Sequence, residues 1–374
     1  MTRILFVIDS LRIGGFTSSL SSLYNIIKDK YEINVLTLSK NDEAIVTFRD
    51  VLFFPTALVD GRFSNFADVN KERKISVFCS KVISKFADFL HVPYNKILAR
   101  KYQKLFSNFD CVIAYCEGYV TDFVAEINHP NKIAWVHNEM SKAPYFKERE
   151  DLYNNFRKIV FVASTIADIF SKKYPSLASK ITWMHNVIDE ERILRLSQEE
   201  IQENFDTNIV NFISIGRISP IKRFRLIPKI AKQLRDGGLD FMWRIIGPTV
   251  SNDEWTQIQG GIIKYGLQDC VELLGNRTNP YPYMKLSDIL VILSESEACP
   301  MVIIEAKILG KPIISTNFTT AYEFVKEGID GMVRPITEVL PAITGIISDG
   351  LRTYCPTAQS NEDSVKCFSA LIEA

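Results

Sequence analysis

Several features that mark common protein classes are missing from this sequence. It contains no C-x-x-C pair and no D-x-D motif, and only 4 of its 374 residues are histidine. Its 7 cysteines do not resemble a secreted disulfide framework, so we expect a reducing cytosol. No apolar run approaches the roughly 18 residues of a membrane span. The first apolar run, residues 4–8, ends at an acid, so we expect no secretion signal.

Net charge is absent as well. The 44 Lys and Arg residues balance 44 Asp and Glu residues, which excludes a general nucleic-acid binder with a basic footprint. A hydrophobic share of 47% excludes a disordered chain. A length of 374 residues is too great for one ordinary core and fits two domains of about 150–200 residues each.

Short apolar, β-branched runs alternate with longer segments of helical period. Runs typical of strands covered on both faces lie at 4–8, 33–38, 51–54, 111–115, 133–137, 159–163, 181–184, 210–215, 241–246, 271–274, 289–293, 312–316 and 332–334. Helix candidates include 18–28, 165–173, 223–235, 253–265 and 302–309. This alternation predicts an α/β protein with two Rossmann-like, doubly wound domains.

A charged and polar stretch at 189–208 interrupts the alternation. We therefore expect an N-terminal domain at 1–188 and a C-terminal domain at 189–355, with a helix at about 356–374 packing back on the first domain. Two such domains facing each other would leave a cleft at the carboxyl ends of both sheets, where ligands bind in open α/β sheets.

The sharpest motif follows the predicted strand at 289–293. Pro300 is placed to open a helix, at a position where its missing N–H is not needed. The amide N–H groups of Met301 and Val302 would then point into the cleft from a helix N-terminus. This arrangement is typical of an anion site.

Two carboxylates accompany that helix start. Glu297 lies on the preceding loop and Glu305 in the early turns of the helix, with seven residues between them. Both carboxylates can face the same crevice. The alternative is structural: Glu305 would only complement the helix dipole, and Glu297 would be solvated.

A second motif follows the strand at 210–215. Gly216 permits close backbone approach, and Arg217 and Lys222 follow on the strand-to-helix turn. Arg217 offers a planar fork for phosphate oxygens, and Lys222 a compact charge. The alternative is a solvated basic turn. A lysine near a helix start is unfavourable for the dipole, so an anionic ligand such as a diphosphate explains Lys222 better.

Together these residues resemble the signature of retaining GT-B glycosyltransferases of family four, also called glycosyl transferases group 1. The resemblance rests on Arg217, Lys222 and the pair Glu297/Glu305. It continues, in order, at 14–15, 134–138, 162–164, 185–189, 274–275, 279–283, 287–291 and 310–316. The variant with 134–138 and 279–283 is similar to enzymes that build bacterial surface polysaccharides, such as capsule or O-antigen.

The resemblance implies roles for the second half of the chain. Arg217 and Lys222 would bind the donor diphosphate and neutralise the leaving group. Glu305 would accept hydrogen bonds from the nucleotide ribose, and Glu297 would hold donor-sugar hydroxyls as a catalytic residue. The remaining donor-binding positions would be Gly216, Asn276, Pro300, Met301 and Val302.

For the first half, the resemblance implies an acceptor-binding domain. Gly14 and Gly15 would let a loop approach the donor phosphate. His137 would face the donor sugar across the cleft as a catalytic residue.

The implied reaction is transfer of a hexose, with retention by front-side attack, from a nucleotide sugar to a glycan or polyprenyl-linked acceptor. A UDP-sugar is the first expectation for the donor, and neither a metal nor a further cofactor is expected. Two alternatives stay open at this point. One is a non-catalytic sugar- or nucleotide-binding partner protein, and the other is a nucleotide-sugar hydrolase or epimerase.

Residues 71–104 carry a local basic excess interleaved with apolar residues at helical spacing. One reading is a solvated helix packed on the N-terminal domain. The other is an amphipathic helix lying on anionic lipid, which would place the protein peripherally on the inner face of the cell membrane.

Three positions depart from the family pattern. Residues 298–300 read Ala-Cys-Pro where Gly-Phe-Gly is frequent, and 319–320 read Thr-Thr where Gly-Gly is frequent. Arg223 takes the place of a glycine, and it would add either a phosphate contact or a surface charge.

Overall fold

The computed structural model describes residues 1–11, 15–38, 48, 51–53, 94–139, 150–358 and 360–373. Its contacts form two compact units. Unit 1 comprises Met1–Val187 together with Asn361–Ala374, and unit 2 comprises Ile188–Ser360. No helix within the described ranges is long and apolar enough to cross a membrane.

Unit 1 contains a seven-stranded parallel sheet. Its strands are β1 (Arg3–Ile8), β2 (Glu32–Thr37), β3 (Val51–Phe53), β4 (Cys111–Ala114), β5 (Lys132–Val136), β6 (Lys158–Phe161) and β7 (Ile181–Trp183). Their order is β3-β2-β1-β4-β5-β6-β7. The first six strands follow the order 3-2-1-4-5-6 of a doubly wound sheet.

The helices of unit 1 connect these strands and cover the sheet. Within the described residues they are α1 (Gly15–Ile27), α2 (Tyr94–Lys101), α3 (Gln103–Phe106), α4 (Tyr119–Ala125), α5 (Glu150–Tyr153), α6 (Ser164–Lys173) and the C-terminal α14 (Glu362–Glu373). Phe368 of α14 is fully buried, with its ring against Phe6 of β1, Tyr31 and Trp135 of β5. The last helix of the chain therefore completes the core of unit 1.

Unit 2 repeats the same topology. Its strands are β8 (Val210–Ile215), β9 (Phe241–Ile246), β10 (Val271–Gly275), β11 (Ile289–Ile292), β12 (Ile313–Thr316) and β13 (Gly331–Arg334). They form a parallel sheet in the order β10-β9-β8-β11-β12-β13. β8 and β11 are neighbours, so the loops at their carboxyl ends lie side by side.

The helices of unit 2 are α7 (Glu190–Leu196), α8 (Ile227–Asp236), α9 (Asn252–Tyr265), α10 (Tyr281–Leu286), α11 (Met301–Ile308), α12 (Ala321–Phe324) and α13 (Val339–Ser348). Local sequence determines their ends: Ser251 accepts a hydrogen bond from the amide of Glu254 at the start of α9, and Gly266 ends α9 in the left-handed conformation. All thirteen predicted strands are confirmed within the described residues.

One predicted helix begins later than expected. The 3-10 turn Pro220–Lys222 precedes the segment predicted as a helix at 223–235, a second 3-10 turn, Phe224–Leu226, opens that segment, and α8 starts only at Ile227. Lys222 therefore does not lie in the first turn of an α-helix. The predicted position of Lys222 beside an α-helical N-terminus is wrong, because α8 begins five residues further on, at Ile227.

Candidate functional site

Two glycines shape the loops at the carboxyl ends of β8 and β9. A Cβ atom on Gly247 would lie 1.8 Å from the carbonyl oxygen of Gly216, so no other residue fits there without moving the backbone. A Cβ atom on Gly216 would lie 3.2 Å from Cε of Lys222. The aliphatic part of Lys222 thus lies against the exposed backbone at the end of β8.

Lys222 forms an ion pair with Oε1 of Glu297 from the loop after β11. Each side chain is only 15% exposed. The hydroxyl of Ser294 donates to the same carboxylate oxygen at 2.6 Å, and the hydroxyl of Thr320 donates to the main-chain carbonyl of Glu297 at 2.9 Å. The structure therefore joins a predicted cation and a predicted carboxylate in one largely desolvated pair.

Arg223 and Glu295 tie the same two loops together a second time. The amide of Glu295 donates to the carbonyl of Ile221 at 2.8 Å, and Nη2 of Arg223 lies 2.9 Å from Oε2 of Glu295. Arg223 has a φ of 53°, a left-handed conformation that costs a residue with a Cβ atom about 1–2 kcal/mol. This conformation favours glycine. Of the two roles considered for Arg223, the structure shows a charge at the surface, which is paired with Glu295.

Arg217 differs from its neighbours because its side chain is exposed. Among the described residues, no hydrogen bond or ion pair engages its guanidinium. It follows Gly216 directly at the end of β8. The loop after β8 thus carries two cations: Lys222, which is paired with Glu297, and Arg217, whose N–H donors are available to a ligand.

The N-terminus of α11 supplies main-chain donors at the end of β11. Pro300 is the N-cap residue, and the amide of Ile303 donates to its carbonyl at 2.9 Å. Within the described residues, no acceptor is bonded to the amides of Met301 and Val302. These two N–H groups form the positive end of an eight-residue helix, as the motif predicts.

Glu305 lies one turn into α11 and is partly buried. The hydroxyl of Tyr281 from α10 donates to its Oε1 at 3.3 Å. Burial raises the pKa of Glu305 to about 7, although Tyr281 and Arg192 of α7 act in the opposite direction. Its carboxyl can therefore lose its proton near neutral pH when a hydrogen-bond donor favours the charged form.

The loop after β10 holds Asn276 exposed, and its neighbour Arg277 is bound within the unit. Arg277 donates to the carbonyl of Leu274 at 2.7 Å and to Glu203 at 2.8 Å, and its Nε lies 3.1 Å from the hydroxyl of Tyr283. A cavity of about 290 Å³ lies beside this cluster. The cluster holds the loop in place and leaves Asn276 accessible.

His137 lies at the carboxyl end of β5, in unit 1. Its ring packs edge-on against Tyr115 at a centroid distance of 4.6 Å and lies 6.4 Å from Phe16. Burial lowers its pKa to about 3, so the imidazole is neutral at physiological pH. Its Nε2 atom is buried and has no hydrogen-bond partner among the described residues.

Other predicted features of unit 1 are only partly described. Gly15 is the first residue of α1 and is exposed, whereas Gly14 lies outside the described residues. Of the basic segment 71–104, the described part is 94–104, which contains α2 and the first two residues of α3.

Sequence reasoning missed four supporting residues of unit 2. Gly247, Ser294, Thr320 and Tyr281 hold the loops or carboxylates that the motifs identify. Only Gly247 gave a usable signal, because a glycine directly after a buried strand is typical of a close backbone approach. Within the described parts of the chain, no cluster of three or more His, Cys, Asp or Glu residues is placed to hold a metal ion.

The two Rossmann-like sheets define the class of protein. The chain has the GT-B fold, as expected from its sequence. The solved structure of HepE of Anabaena in complex with UDP and glucose matches with a TM-score of 0.70 at 16% identity, covering 100% of this chain and 98% of that chain.

The family model described as glycosyl transferases group 1 matches residues 197–345 of this chain. An uncharacterized glycosyltransferase of Methanocaldococcus jannaschii is 29% identical over 212 residues, which are 52% of this chain and 50% of that protein. The lipopolysaccharide 1,2-N-acetylglucosaminetransferase of Salmonella typhimurium is 21% identical over 273 residues, 67% of this chain and 71% of that protein. The chain thus spans about half the length of the archaeal relative. The family resemblance drawn from the motifs is confirmed.

Proposed function

We propose that this chain is a retaining glycosyltransferase that moves a hexose from a nucleotide sugar to a growing surface glycan. The first candidate for the donor is a UDP-sugar. The acceptor would be a sugar, carried on a polyprenyl lipid, at the cytoplasmic face of the membrane. The group 1 family domain, the HepE structure with UDP and glucose and the lipopolysaccharide transferase among the relatives support this class of reaction.

The observation that carries the proposal is the Lys222–Glu297 pair beside the open donors of unit 2. Lys222 is held at the end of β8 with low exposure, Arg217 is exposed beside it, and the amides of Met301 and Val302 lie at a helix N-terminus. Arg217, Lys222 and the two N–H groups supply donors that match the acceptor oxygens of a diphosphate.

In the proposed reaction, the bond between the anomeric carbon and the diphosphate oxygen breaks, and its electron pair stays on the diphosphate. The acceptor hydroxyl forms the new bond on the same face of the sugar, and its proton passes to the departing oxygen. Arg217 and Lys222 stabilise the negative charge that develops there. Because these cations perform the task of a metal, turnover is expected to persist in EDTA.

The neutral His137 fits a binding role better than acid–base chemistry. A carbonyl can only accept, so the ring nitrogen that bonds the carbonyl of Tyr115 is a donor. Nε2, which has no partner in the described part of the chain, is then the acceptor. A sugar hydroxyl is a suitable donor to Nε2. A pKa of about 3 disfavours His137 as the acid or base of a hydrolase or epimerase.

Calorimetric titration of the full chain with UDP, GDP, ADP and their sugar conjugates tests the proposal. We expect one nucleoside diphosphate to bind with much higher affinity than the others. Its sugar conjugate should be turned over when a lipid-linked glycan fraction is added. Binding without turnover of any conjugate would support the non-catalytic partner protein. Slow release of free sugar that no glycan fraction accelerates would support a hydrolase.

Glu305 gives a pH prediction. The ribose hydroxyls would donate to the ionised carboxylate of Glu305. Because burial raises the pKa of Glu305 to about 7 in the free protein, binding below pH 7 must first remove its proton. Affinity for UDP-glucose, which has no titrating phosphate in this range, is therefore expected to rise about tenfold from pH 6 to pH 8 and then to level off. Isothermal titration at four pH values measures this.

The Glu305→Gln variant is expected to bind more weakly but without this pH dependence. Glu338 is an exposed carboxylate of the same unit, so Glu338→Gln serves as the matched control and should keep the dependence. An unchanged pH dependence in Glu305→Gln would remove Glu305 from ribose binding.

We also propose that unit 1 contacts anionic lipid. Lys96, Arg100 and Lys101 of α2 and Lys104 of α3 are exposed, whereas Leu98 on the opposite face of α2 is buried. An exposed basic face is one of the two features that an amphipathic helix on anionic lipid requires; the other is an apolar face. Each cation near such a surface contributes about 1 kcal/mol.

Flotation with phosphatidylglycerol vesicles is expected to recover the protein at 50 mM NaCl and to lose it at 500 mM. Changing the four cations of α2 and α3 to glutamate should abolish flotation. The matched control changes Lys172 and Lys173, which are exposed on α6 of the same unit, and should float normally. Absence of salt-sensitive flotation would contradict lipid contact and support a solvated helix packed on unit 1.

A further inference from the structure

Unit 1 contains a buried carboxyl group that the proposed reaction does not use. Glu117 follows β4 and is only 6% exposed. Among the described residues, no lysine or arginine pairs with it. Burial without a cation raises its pKa to about 7 and is costly for a carboxylate unless hydrogen bonds compensate.

The hydrogen bonds of Glu117 go to the turn that follows β5. Its Oε1 accepts the amide N–H of Asn138 at 2.5 Å, and its Oε2 lies 3.4 Å from Nδ2 of Asn138. The main chain of His137 and the amide of Glu117 itself also bond to the carboxyl. One side chain therefore binds two consecutive peptide groups at the carboxyl end of β5.

The same turn carries the His137 ring. One ring nitrogen donates to the carbonyl of Tyr115 on the β4 side, and the Tyr115 ring packs against the imidazole. Glu117 and Tyr115 lie two residues apart on one segment, and both contact His137. Main chain and ring are thus held from the same segment, and no described residue bonds to Nε2.

We propose that Glu117 is a positioning residue that holds the His137–Asn138 turn, so that Nε2 of His137 is presented as an acceptor to a sugar hydroxyl of the substrate. This inference rests on the proposed function for its substrate. A carboxylate suits the task because it accepts several N–H donors at once and binds them more strongly than a neutral amide does.

The kinetic test compares Glu117→Ala, Glu117→Gln, His137→Ala and the double variant in the full chain. We expect Glu117→Ala to lower kcat about tenfold to a hundredfold, as His137→Ala does. The affinity for UDP should stay within twofold, because the diphosphate donors belong to unit 2. Glu117→Gln keeps an acceptor for the Asn138 amide and should recover part of kcat. The double variant should be no worse than the worse single variant, because the two residues act as one unit.

Hydrogen exchange gives a readout that does not depend on activity. The amide of Asn138 is expected to be protected in the wild type, to exchange faster in Glu117→Ala, and to be partly protected in Glu117→Gln. The exposed Glu126, changed to alanine, is the matched control in the same unit and should leave this amide unaffected.

Unchanged exchange at Asn138 in Glu117→Ala would overturn the inference, as would kinetic effects of Glu117→Ala and His137→Ala that simply add. If the exchange result holds but no nucleotide binds or turns over, the proposed function fails while the structural part of the inference stands. If Glu117→Ala does not fold, the exchange and kinetics of Glu117→Gln decide instead. A Glu117→Gln protein with wild-type exchange, kcat and KM would then overturn the inference.

Discussion

Replacing Lys222 with alanine is expected to lower the turnover number by about 100- to 1000-fold, the effect of removing one preorganised donor from a developing negative charge. Lys222 is 15% exposed and bonded to Glu297, so little rearrangement is needed when charge appears on the diphosphate. Affinity for UDP should fall as well, because the ground-state diphosphate already carries charge. Steady-state kinetics and UDP titration measure the two effects.

Lys229→Ala is the matched control, because Lys229 is exposed on α8 of the same unit, and it should retain full activity. Lys222→Ala should still fold, because Glu297 keeps its hydrogen bond from Ser294, and circular dichroism checks this. A folded Lys222→Ala protein with wild-type turnover would exclude Lys222 from leaving-group stabilisation.

Asp330→Ala is expected to lower the free energy of unfolding of unit 2 by about 3–5 kcal/mol. Asp330 is fully buried and accepts from Nζ of Lys307 at 2.7 Å and from the amide of Lys326 at 2.9 Å. Lys307 belongs to α11 and is itself only 10% exposed. Removing the carboxylate leaves a buried ammonium without its anion, and urea unfolding followed by tryptophan fluorescence measures the loss.

An exposed pair provides the comparison for this prediction. Asp236 pairs with Lys232 on α8, and both side chains are more than 40% exposed, so Asp236→Ala should change the free energy of unfolding by less than about 1 kcal/mol. Equal urea midpoints for Asp330→Ala and Asp236→Ala would contradict the importance of the buried pair.

The strands could be predicted because the parallel sheets bury them on both faces. Every residue of β11 and of β12 is buried, and β11 reads Ile-Leu-Val-Ile without a polar residue. Lys132 in β5 shows where this reasoning stops. Its side chain is buried, and its ammonium donates to the carbonyls of Ala125 and Ile127 at the end of α4. No local sequence pattern predicts that a lysine in a strand will bond the carbonyls at the end of a helix.

The site could be predicted as a set of residues but not as a set of contacts. Lys222 and Glu297 meet because β8 and β11 are adjacent in the sheet, which sequence alternation alone does not establish. The helix boundary at Ile227 was missed because two 3-10 turns carry the same apolar spacing as an α-helical turn. Glu117 was missed because a single acid after a strand resembles an ordinary solvated loop residue.

The backbone contact at Gly247 has a consequence for engineering donor specificity. A Cβ atom at this position would lie 1.8 Å from the carbonyl oxygen of Gly216, so the segments after β8 and β9 cannot be exchanged independently. A chimera that imports only the second segment, with any other residue at 247, would displace the backbone that carries Arg217. Loop grafting in this fold should therefore transfer both segments from one parent.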